Sequence, residues 1–540
     1  MIAARIARFR RAIGRSWFLP SFLILFGLSL SWVLASPVGA VPDEPAHSIK
    51  AAAVARGQLL GTQTGTDGPL LAVEVPRYIA QVNDMSCFAR EVDKTPRCAS
   101  ELGGNSDEMV TAVTTAGLYN PVYYAIIGWP SLTTSGLKAF YVMRICSAFL
   151  SCLFLASAFG AVSLLARRKW ALVTLSVAIT PMVLFLNGAV NPNSLEYATT
   201  AAIAANLLLL LERTTSDRLP VVPILVTTAA AALLANTKAL SLLWLLVVVV
   251  AVAITATSAQ LRRLVTNPAV LAGAAFIGLS SVMAIMWILR HDSLSSKPFE
   301  GAGMSPADGA EIMLDRTFTY MIGWIGQFGW LELNAPVAVI SFWMGMIFAV
   351  SMGVLFFTRG RARTAALLLS LSLVALPVIL QAQIINQQGI VWQGRYVLAV
   401  FVPFMLLAGV AIDRSATNPI PPGGRKALAI VLGMVFVAQV STFVWVLRRY
   451  TTGLALDVRW IEMVVDPQWQ PPLGTLAVVA IFTVVTALGA LLLRRHINTD
   501  ELPPRESAAS NEEPTSGASN EEPTSGATTA SRHDSIRQDL

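Results

Sequence analysis

The run Val41-Pro42-Asp43-Glu44-Pro45-Ala46-His47 places two carboxylates and an imidazole close together. Pro45 suits the first turn of a helix, and Asp43 or Glu44 suits its N-terminus. The helix is expected to run through Ile49, Ala51, Ala52, Val54 and Ala55 and to stop at Gly57. Asp43 and His47 are four apart, which sets them on one helical face. Two chemistries are open to this set. Asp43 could act as general base, with Glu44 the second choice and His47 orienting one of them. Alternatively, Asp43, Glu44 and His47 could together hold a divalent cation such as magnesium or manganese. A solvated helix cap is the plain alternative.

Other groups complement this run. In Trp392-Gln393-Gly394-Arg395-Tyr396, the Arg395 fork suits bidentate phosphate contact, and Trp392 and Tyr396 could stack on a sugar. Lys238, in the turn Asn236-Thr237-Lys238, offers a second cation for a donor phosphate. Either cation could instead serve lipid phosphates generally. Asn191 and Asn193 precede Glu196, while Trp330 and Glu332 close a glycine- and aromatic-rich stretch that begins at Gly323. These four are candidate substrate contacts, and the aromatics could equally be a membrane-interface belt. Arg144 is costly in lipid unless paired. Cys87 and Cys98 fit no common zinc spacing, so a disulfide pinning their loop is expected; Cys146 and Cys152 read as small apolar residues.

The elements that must hold these residues are apolar helices. Of 540 residues, 55% are hydrophobic and only 13% charged, about half the charge of a soluble globular protein. Mean hydropathy is +0.62. Soluble enzymes, fibrous proteins and disordered scaffolds are excluded together. About twelve runs approach the ~20 residues needed to cross hydrocarbon, near 18–37, 138–166, 170–188, 194–211, 220–236, 239–258, 268–289, 335–357, 364–384, 397–412, 427–446 and 473–493. The arginines from Arg5 to Arg15, then Arg167-Arg168-Lys169, Arg262-Arg263, Arg359-Arg361-Arg363, Arg425-Lys426 and Arg494-Arg495 all fall on one side of that map. The positive-inside rule makes that side, and both termini, cytoplasmic. Net charge is +7, with an acidic end from Asp500 onward, and the basic clusters are explained by topology without nucleic acid. Before residue 500, only Glu212, Asp217 and Asp413 are acidic residues in the basic loops, so acid–base chemistry belongs to the outer face.

Three parts result: a basic N-terminus over 1–17, a membrane domain over 18–493 with a large outer loop over 39–137, and a tail over 494–540. That tail repeats Ser510–Ala518 as 519–527 and is expected to be disordered. In the outer loop, the helix after Asp43 is expected to lie on the membrane, with Ile49, Ala52 and Ala53 toward lipid and Lys50 and Arg56 toward water. A second interfacial helix is expected from Leu118 to Leu132.

With Pro42–His47, Asn191–Ser194, Gly329–Glu332 and Gln393–Tyr396 in this order, the chain resembles a bacterial family of multi-spanning membrane proteins that groups with the GT-C glycosyltransferases. The resemblance covers roughly residues 18–450. Ser48 stands where an aromatic is usual, and Glu332 where Asp is frequent. The resemblance implies an all-α polytopic GT-C-like bundle with interfacial helices in the first outer loop and an acidic catalytic base there. It also implies a sugar donor carried on polyprenyl phosphate or diphosphate, used at the cell membrane to build a surface glycan or lipid. A transporter or flippase of lipid-linked saccharide is the competing reading, but polar groups gather at outer helix ends and no internal repeat is found. An inert scaffold for cell-wall assembly is the third.

Overall fold

A computed structural model describes residues 16–64, 70–100, 106–215, 218–295, 297–416 and 422–498. The arginines from Arg5 to Arg15, Asp217 and the repeat-bearing tail lie outside the described residues.

Every one of the twelve apolar runs is helical. After α1 (Phe18–Ala35), the long loop over 39–137 carries α2 (Glu44–Ala55), strands β1 (Thr62–Gln63), β2 (Leu71–Pro76) and β3 (Met109–Thr114), and α3 (Val122–Gly128). The chain continues through α4 (Gly136–Val162), α5 (Lys169–Ala178), α6 (Pro181–Asn187), α7 (Pro192–Glu212), α8 (Val221–Ala235), α9 (Ser241–Ile254) and α10 (Pro268–His291). A second outer segment holds α11 (Thr317–Ile325) and the hairpin β4 (Gln327–Phe328) and β5 (Leu333–Asn334). The last five long helices are α12 (Val337–Phe357), α13 (Arg361–Gln388), α14 (Leu398–Ser415), α15 (Pro422–Thr451) and α16 (Thr475–Asn498).

Among the described residues, nine helices are long and apolar enough to cross a bilayer. A tenth candidate comes in two pieces, α5 and α6, bent by 65°. Pro181 cannot continue the ladder of α5, and Thr180 caps the new start by accepting from the Val183 amide. Helices α8 and α9 have 15 and 14 residues, roughly 22 Å at 1.5 Å per residue, short of the ~30 Å hydrocarbon thickness. Of the about twelve spans expected from hydropathy, nine or ten meet the length and apolarity needed, while α8 and α9 are shorter apolar helices that run from the basic-face loops to the turn at Lys238 and back. The pair returns to the face it left, so it does not alter the sidedness of the rest. Helix α7 is the axis of the bundle, buried along nearly its whole length.

Contacts sort the loops onto two faces. On one, the Trp17 amide donates to Ser163, Arg167 to the carbonyls of Asp413 and Ala416, Arg263 to Thr214 and Arg361 to Ala256. This is the basic face, and Asp413 is used there to cap α5 through the amides of Trp170 and Ala171. Pro37, Asp43, Val190, Lys238 and Arg395 gather at the opposite helix ends.

The outer loop differs from the expected pair of flat interfacial helices. Its strands form one antiparallel sheet in the order β1-β2-β3, with Leu71 opposite Thr114 and Pro76 opposite Met109. Helix α2 is sandwiched between that sheet and α3 instead of resting on lipid. Ile49, Lys50, Ala51, Ala52 and Ala53 are all fully buried. The alanines permit this close packing: a Cβ added at Gly128 of α3 would sit 2.1 Å from the Ala51 carbonyl oxygen. Lys50 turns inward because its ammonium finds the carbonyls of Leu59 at 2.7 Å and Gly117 at 2.5 Å. Burial pushes that amine down to about 8. Trp129 and Leu132, just past α3, remain half-exposed and suit a membrane interface.

Candidate functional site

Asp43 is the N-cap of α2 and lies in the left-handed region, φ 65° and ψ −4°. That conformation is uncommon outside glycine, tolerated by Asp and Asn, and clusters at functional sites. It has a directional consequence. The two adjacent carboxylates leave the backbone toward different surroundings.

Glu44 points inward and is 1% exposed. Arg144, fully buried on α4, grips it with Nε and Nη2, both at 2.6 Å. The amides of Gly39 and Val190 add bonds of 3.2 Å each. Arg144 spends its remaining donors on the carbonyls of Val33, Ser36 and Pro37. Both partners are therefore saturated, and the pair locks the end of α1 to α2, α4 and the turn before α7. Each oxygen of Glu44 accepts two hydrogen bonds.

Asp43 points outward, with 45% of its side chain exposed. Its Oδ2 lies 2.5 Å from Arg395 Nη2. Arg395 itself is only 1% exposed, and its Nε and Nη1 have no hydrogen-bond partner among the described residues. Glycine explains how the guanidinium arrives there. A Cβ at Gly394 would fall 2.0 Å from the Tyr320 carbonyl oxygen, and one at Gly323 would fall 3.0 Å from Gly394 Cα. The turn Gly394–Val397 therefore docks directly on α11. Gln381 of α13 fixes the approach, accepting from the amides of Val391 and Trp392 and donating to Gly389 at 2.7 Å.

Lys238, between α8 and α9, is the second cation. Its ammonium lies 4.8 Å from the Tyr396 ring and 5.8 Å from the Tyr119 ring, a cation–π cage. Asn193 accepts from it at 3.4 Å and donates to Glu196 at 3.1 Å, and Ser241 donates to the other Glu196 oxygen at 2.7 Å. Asn191 caps α7 and donates to the Pro42 carbonyl at 3.2 Å, tying this network to the Asp43 turn. The turn at Asp43, the start of α7, the α8–α9 turn and the start of α14 thus meet at one place on the face opposite the basic clusters.

His47 is buried, with Nδ1 2.9 Å from the Tyr124 hydroxyl and its ring against Tyr119 and Tyr124. Burial pushes its pKa down to about 3, the pull of Asp43 in the other direction being outweighed. The imidazole is neutral. Asp43 is reachable from outside yet walled by protein. Burial raises its pKa, but the charges of Arg395 and Lys238 lower it further, leaving the carboxyl below its ordinary value. Burial likewise lowers the Lys238 amine, against the opposing pull of Glu196.

The expected cation set does not assemble. Asp43 faces Arg395, Glu44 faces Arg144 and His47 faces Tyr124, and no group of three or more His, Cys, Asp or Glu side chains converges among the described residues. Trp392 also departs from its expected place. It is 6% exposed and packs edge-on against Tyr396 at 5.8 Å, so it backs Tyr396 and offers no open stacking face.

Trp330 and Glu332 belong to a bracket beside the site. The Trp330 indole donates to the Gly39 carbonyl at 2.9 Å. Glu332 lies 3.4 Å from Arg449, at the end of α15, and folds back over Gly329, where a Cβ would meet its carboxylate at 2.1 Å. Arg449 is fully buried and also donates to the carbonyls of Phe88, Glu91 and Lys94. Those carbonyls lie in the loop closed by Cys87 and Cys98, which are disulfide-bonded with Cα atoms 6.1 Å apart. Sequence reasoning passes over Arg449 and Ser241 and reads Tyr119 and Tyr124 only as part of the interfacial segment that starts at Leu118. An arginine pair at the end of an apolar run, Arg448-Arg449, was the available signal for the first.

The family described as "Predicted membrane protein (DUF2142)" matches residues 26–406. No curated protein matches the chain. Among solved structures, ArnT from Cupriavidus metallidurans bound to undecaprenyl phosphate is similar at 15% identity and a TM-score of 0.41, with 89% of this chain and 76% of that chain covered. Its apo state gives 16% identity, a TM-score of 0.42 and the same coverage.

Proposed function

This chain belongs to the DUF2142 family of predicted membrane proteins, and on that premise we propose that it is a GT-C-type glycosyltransferase of the cell membrane. In this reading it transfers a sugar from a polyprenyl-phosphate-linked donor to a cell-surface glycan or lipid acceptor on the outer face, with both termini cytoplasmic. One observation carries the proposal: an outward carboxylate, Asp43, beside a fully buried guanidinium that has two unused N–H-bearing nitrogens. Unpartnered buried donors cost about 1–3 kcal/mol each, so a site that keeps them is built to receive an acceptor. A phosphate matches the fork.

The roles follow from position. Asp43 takes the proton of the acceptor hydroxyl as its oxygen bonds to the anomeric carbon. The bond from that carbon to the phosphate oxygen breaks, and the electron pair leaves with the polyprenyl phosphate. Arg395 and Lys238 stabilise the charge that develops there. Donor binding also serves the base, because a phosphate that engages Arg395 draws its charge away from Asp43 and makes the carboxylate more basic. Tyr396, held by Trp392 and the two cations, is the aromatic surface nearest the sugar. Asn193 and Glu196 orient Lys238, while Asn191 holds the Asp43 turn. Glu44 and neutral His47 shape the site without touching the reacting atoms. The Trp330–Glu332 bracket supports it from the side.

The test is reconstitution of the full chain in vesicles with a panel of polyprenyl-phosphate-linked sugars, measuring release of polyprenyl phosphate. Acceptor-dependent release with at least one donor is expected. Failure of every donor, together with polyprenyl phosphate binding that is indifferent to Arg395→Lys, would overturn the reading.

A further inference from the structure

A second binding site lies far from Asp43. Helices α1, α4, α5, α6, α15 and α16 leave between them an apolar cleft of about 130 Å³, lined by Leu25, Leu28, Phe159, Leu184, Leu432 and Leu493 among others. An apolar cavity of ~150 Å³ can admit a benzene-sized ligand, so this one has room for a segment of hydrocarbon chain. Rim residues Ile24, Val435, Phe436 and Leu492 are half-exposed on the outside of membrane-crossing helices, so the cleft opens onto lipid. The few polar side chains within it are mostly occupied: Ser176 and Thr486 donate to their own helices, and the Gln439 amide donates to Ile179.

The end of this cleft is marked by Trp17, whose ring meets His496 edge-on at 4.7 Å. Trp17 also anchors the basic face through Ser163. Arg168 and Lys169 act electrostatically on His496, and Arg494 and Arg495 directly follow the lining residue Leu493 and are exposed. Four cations therefore belong to the basic-face end of an apolar cleft: Arg168 and Lys169 near His496, and Arg494 and Arg495 on the turn of α16 that follows Leu493. Arg168 Nε has no hydrogen-bond partner among the described residues.

We infer that this cleft binds an anionic glycerophospholipid of the leaflet on the basic face, one acyl chain in the cleft and the headgroup phosphate among Arg168, Lys169, Arg494 and Arg495. The occupant is a phospholipid and not the polyprenyl donor, because the cleft ends at the face opposite Arg395 and Lys238. A bound chain would lie beside the seam of α1 and α16, where Gly489 faces Ile24 and Gly27 faces Val485.

The experiment uses full-length protein exchanged into vesicles of mixed phosphatidylcholine and phosphatidylglycerol, extracted gently and weighed by native mass spectrometry. One retained phosphatidylglycerol per chain is expected, enriched about tenfold over its bulk share by attraction to several basic residues. Arg494→Gln with Arg495→Gln, exposed changes that leave packing untouched, should reduce that enrichment toward the bulk ratio. Ala490→Phe should fill the cleft and expel the lipid while the protein still runs as a single species in gel filtration. Retention without preference for phosphatidylglycerol, or enrichment unchanged in the charge variant, would overturn the inference. So would finding polyprenyl phosphate in the cleft when both lipids are supplied. Binding is read without turnover, so the outcome is independent of whether the outer site transfers sugar.

Discussion

Asp43→Asn separates chemistry from stability more cleanly than any other change. It removes one negative charge and little else. Asn tolerates a left-handed φ as Asp does, and its amide oxygen can still accept from Arg395 Nη2, now 2.5 Å from Asp43. The stability cost is the difference between a charged and a neutral acceptor in one hydrogen bond, about 1 kcal/mol. With 45% of the side chain exposed, solvent screening reduces even that. The melting temperature should therefore fall by no more than about 2 °C. Loss of a general base costs roughly 10²–10⁴ in rate. Asp43→Ala supplies the contrast. A residue other than Gly, Asn or Asp at φ 65° adds about 1–2 kcal/mol of backbone cost, so Ala should unfold earlier than Asn while losing the same activity. The assay is release of polyprenyl phosphate from reconstituted vesicles alongside thermal unfolding in detergent. A near-native Asn variant that still turns over within tenfold of the wild type would refute the assignment of Asp43 as base.

Four further outcomes are expected. Arg395→Lys should raise the KM for donor more than it lowers the melting temperature, since a point charge replaces a two-pronged donor; an unchanged KM removes Arg395 from the phosphate site. Glu44→Gln should destabilise by about 3–5 kcal/mol, because it strips the charge from one member of a buried, saturated ion pair; normal expression and unfolding would contradict that. His47 has a folded pKa near 3, below its unfolded value, so its contribution is intact above about pH 6.5 and is lost as pH falls toward 3. The melting temperature should drop through that window, His47→Gln should flatten the drop, and activity should show no inflection at the ordinary histidine pKa. Alkylation without reductant should leave Cys87 and Cys98 unlabelled, whereas reduction should label both and loosen the loop that Arg449 holds; labelling of both without reductant would refute the bond.

The sequence made the membrane bundle legible because hydropathy is summed over some twenty residues, and local errors average out. It was less informative about length: α8 and α9 carry apolar runs as greasy as the longer helices, and the turn at Lys238 and the end at Ile254 hold them to 15 and 14 residues. The outer loop was legible in part. The helix after Asp43 and its stop near Gly57 follow from local signals, but the burial of its lysine does not, because Lys50 finds its carbonyls at Leu59 and Gly117. The three-stranded sheet was hidden for a similar reason. Strands β2 and β3 are six residues each and pair across more than thirty positions, and alternation over six residues is a weak signal. The candidate residues Asp43, Arg395, Lys238, Asn191 and Asn193 do gather, but residue types alone could not show which way each side chain turns.

That direction is the physical reason two neighbouring carboxylates have opposite fates. On an ordinary helical start, Asp43 and Glu44 would share one solvent-facing turn and one electrostatic environment. The left-handed residue breaks that equivalence. It sends Glu44 into a pocket of four donors from Arg144, Gly39 and Val190, where its charge is fully spent on joining α1, α2, α4 and the start of α7. Because that junction is rigid, Asp43 is held at a fixed height above the membrane-crossing helices. Only one contact, from Arg395, then has to be given up for Asp43 to accept a proton. Under the proposed function, an incoming phosphate would take over that guanidinium without disturbing the junction beneath, so the buried carboxylate would supply the stability and the exposed one the reactivity.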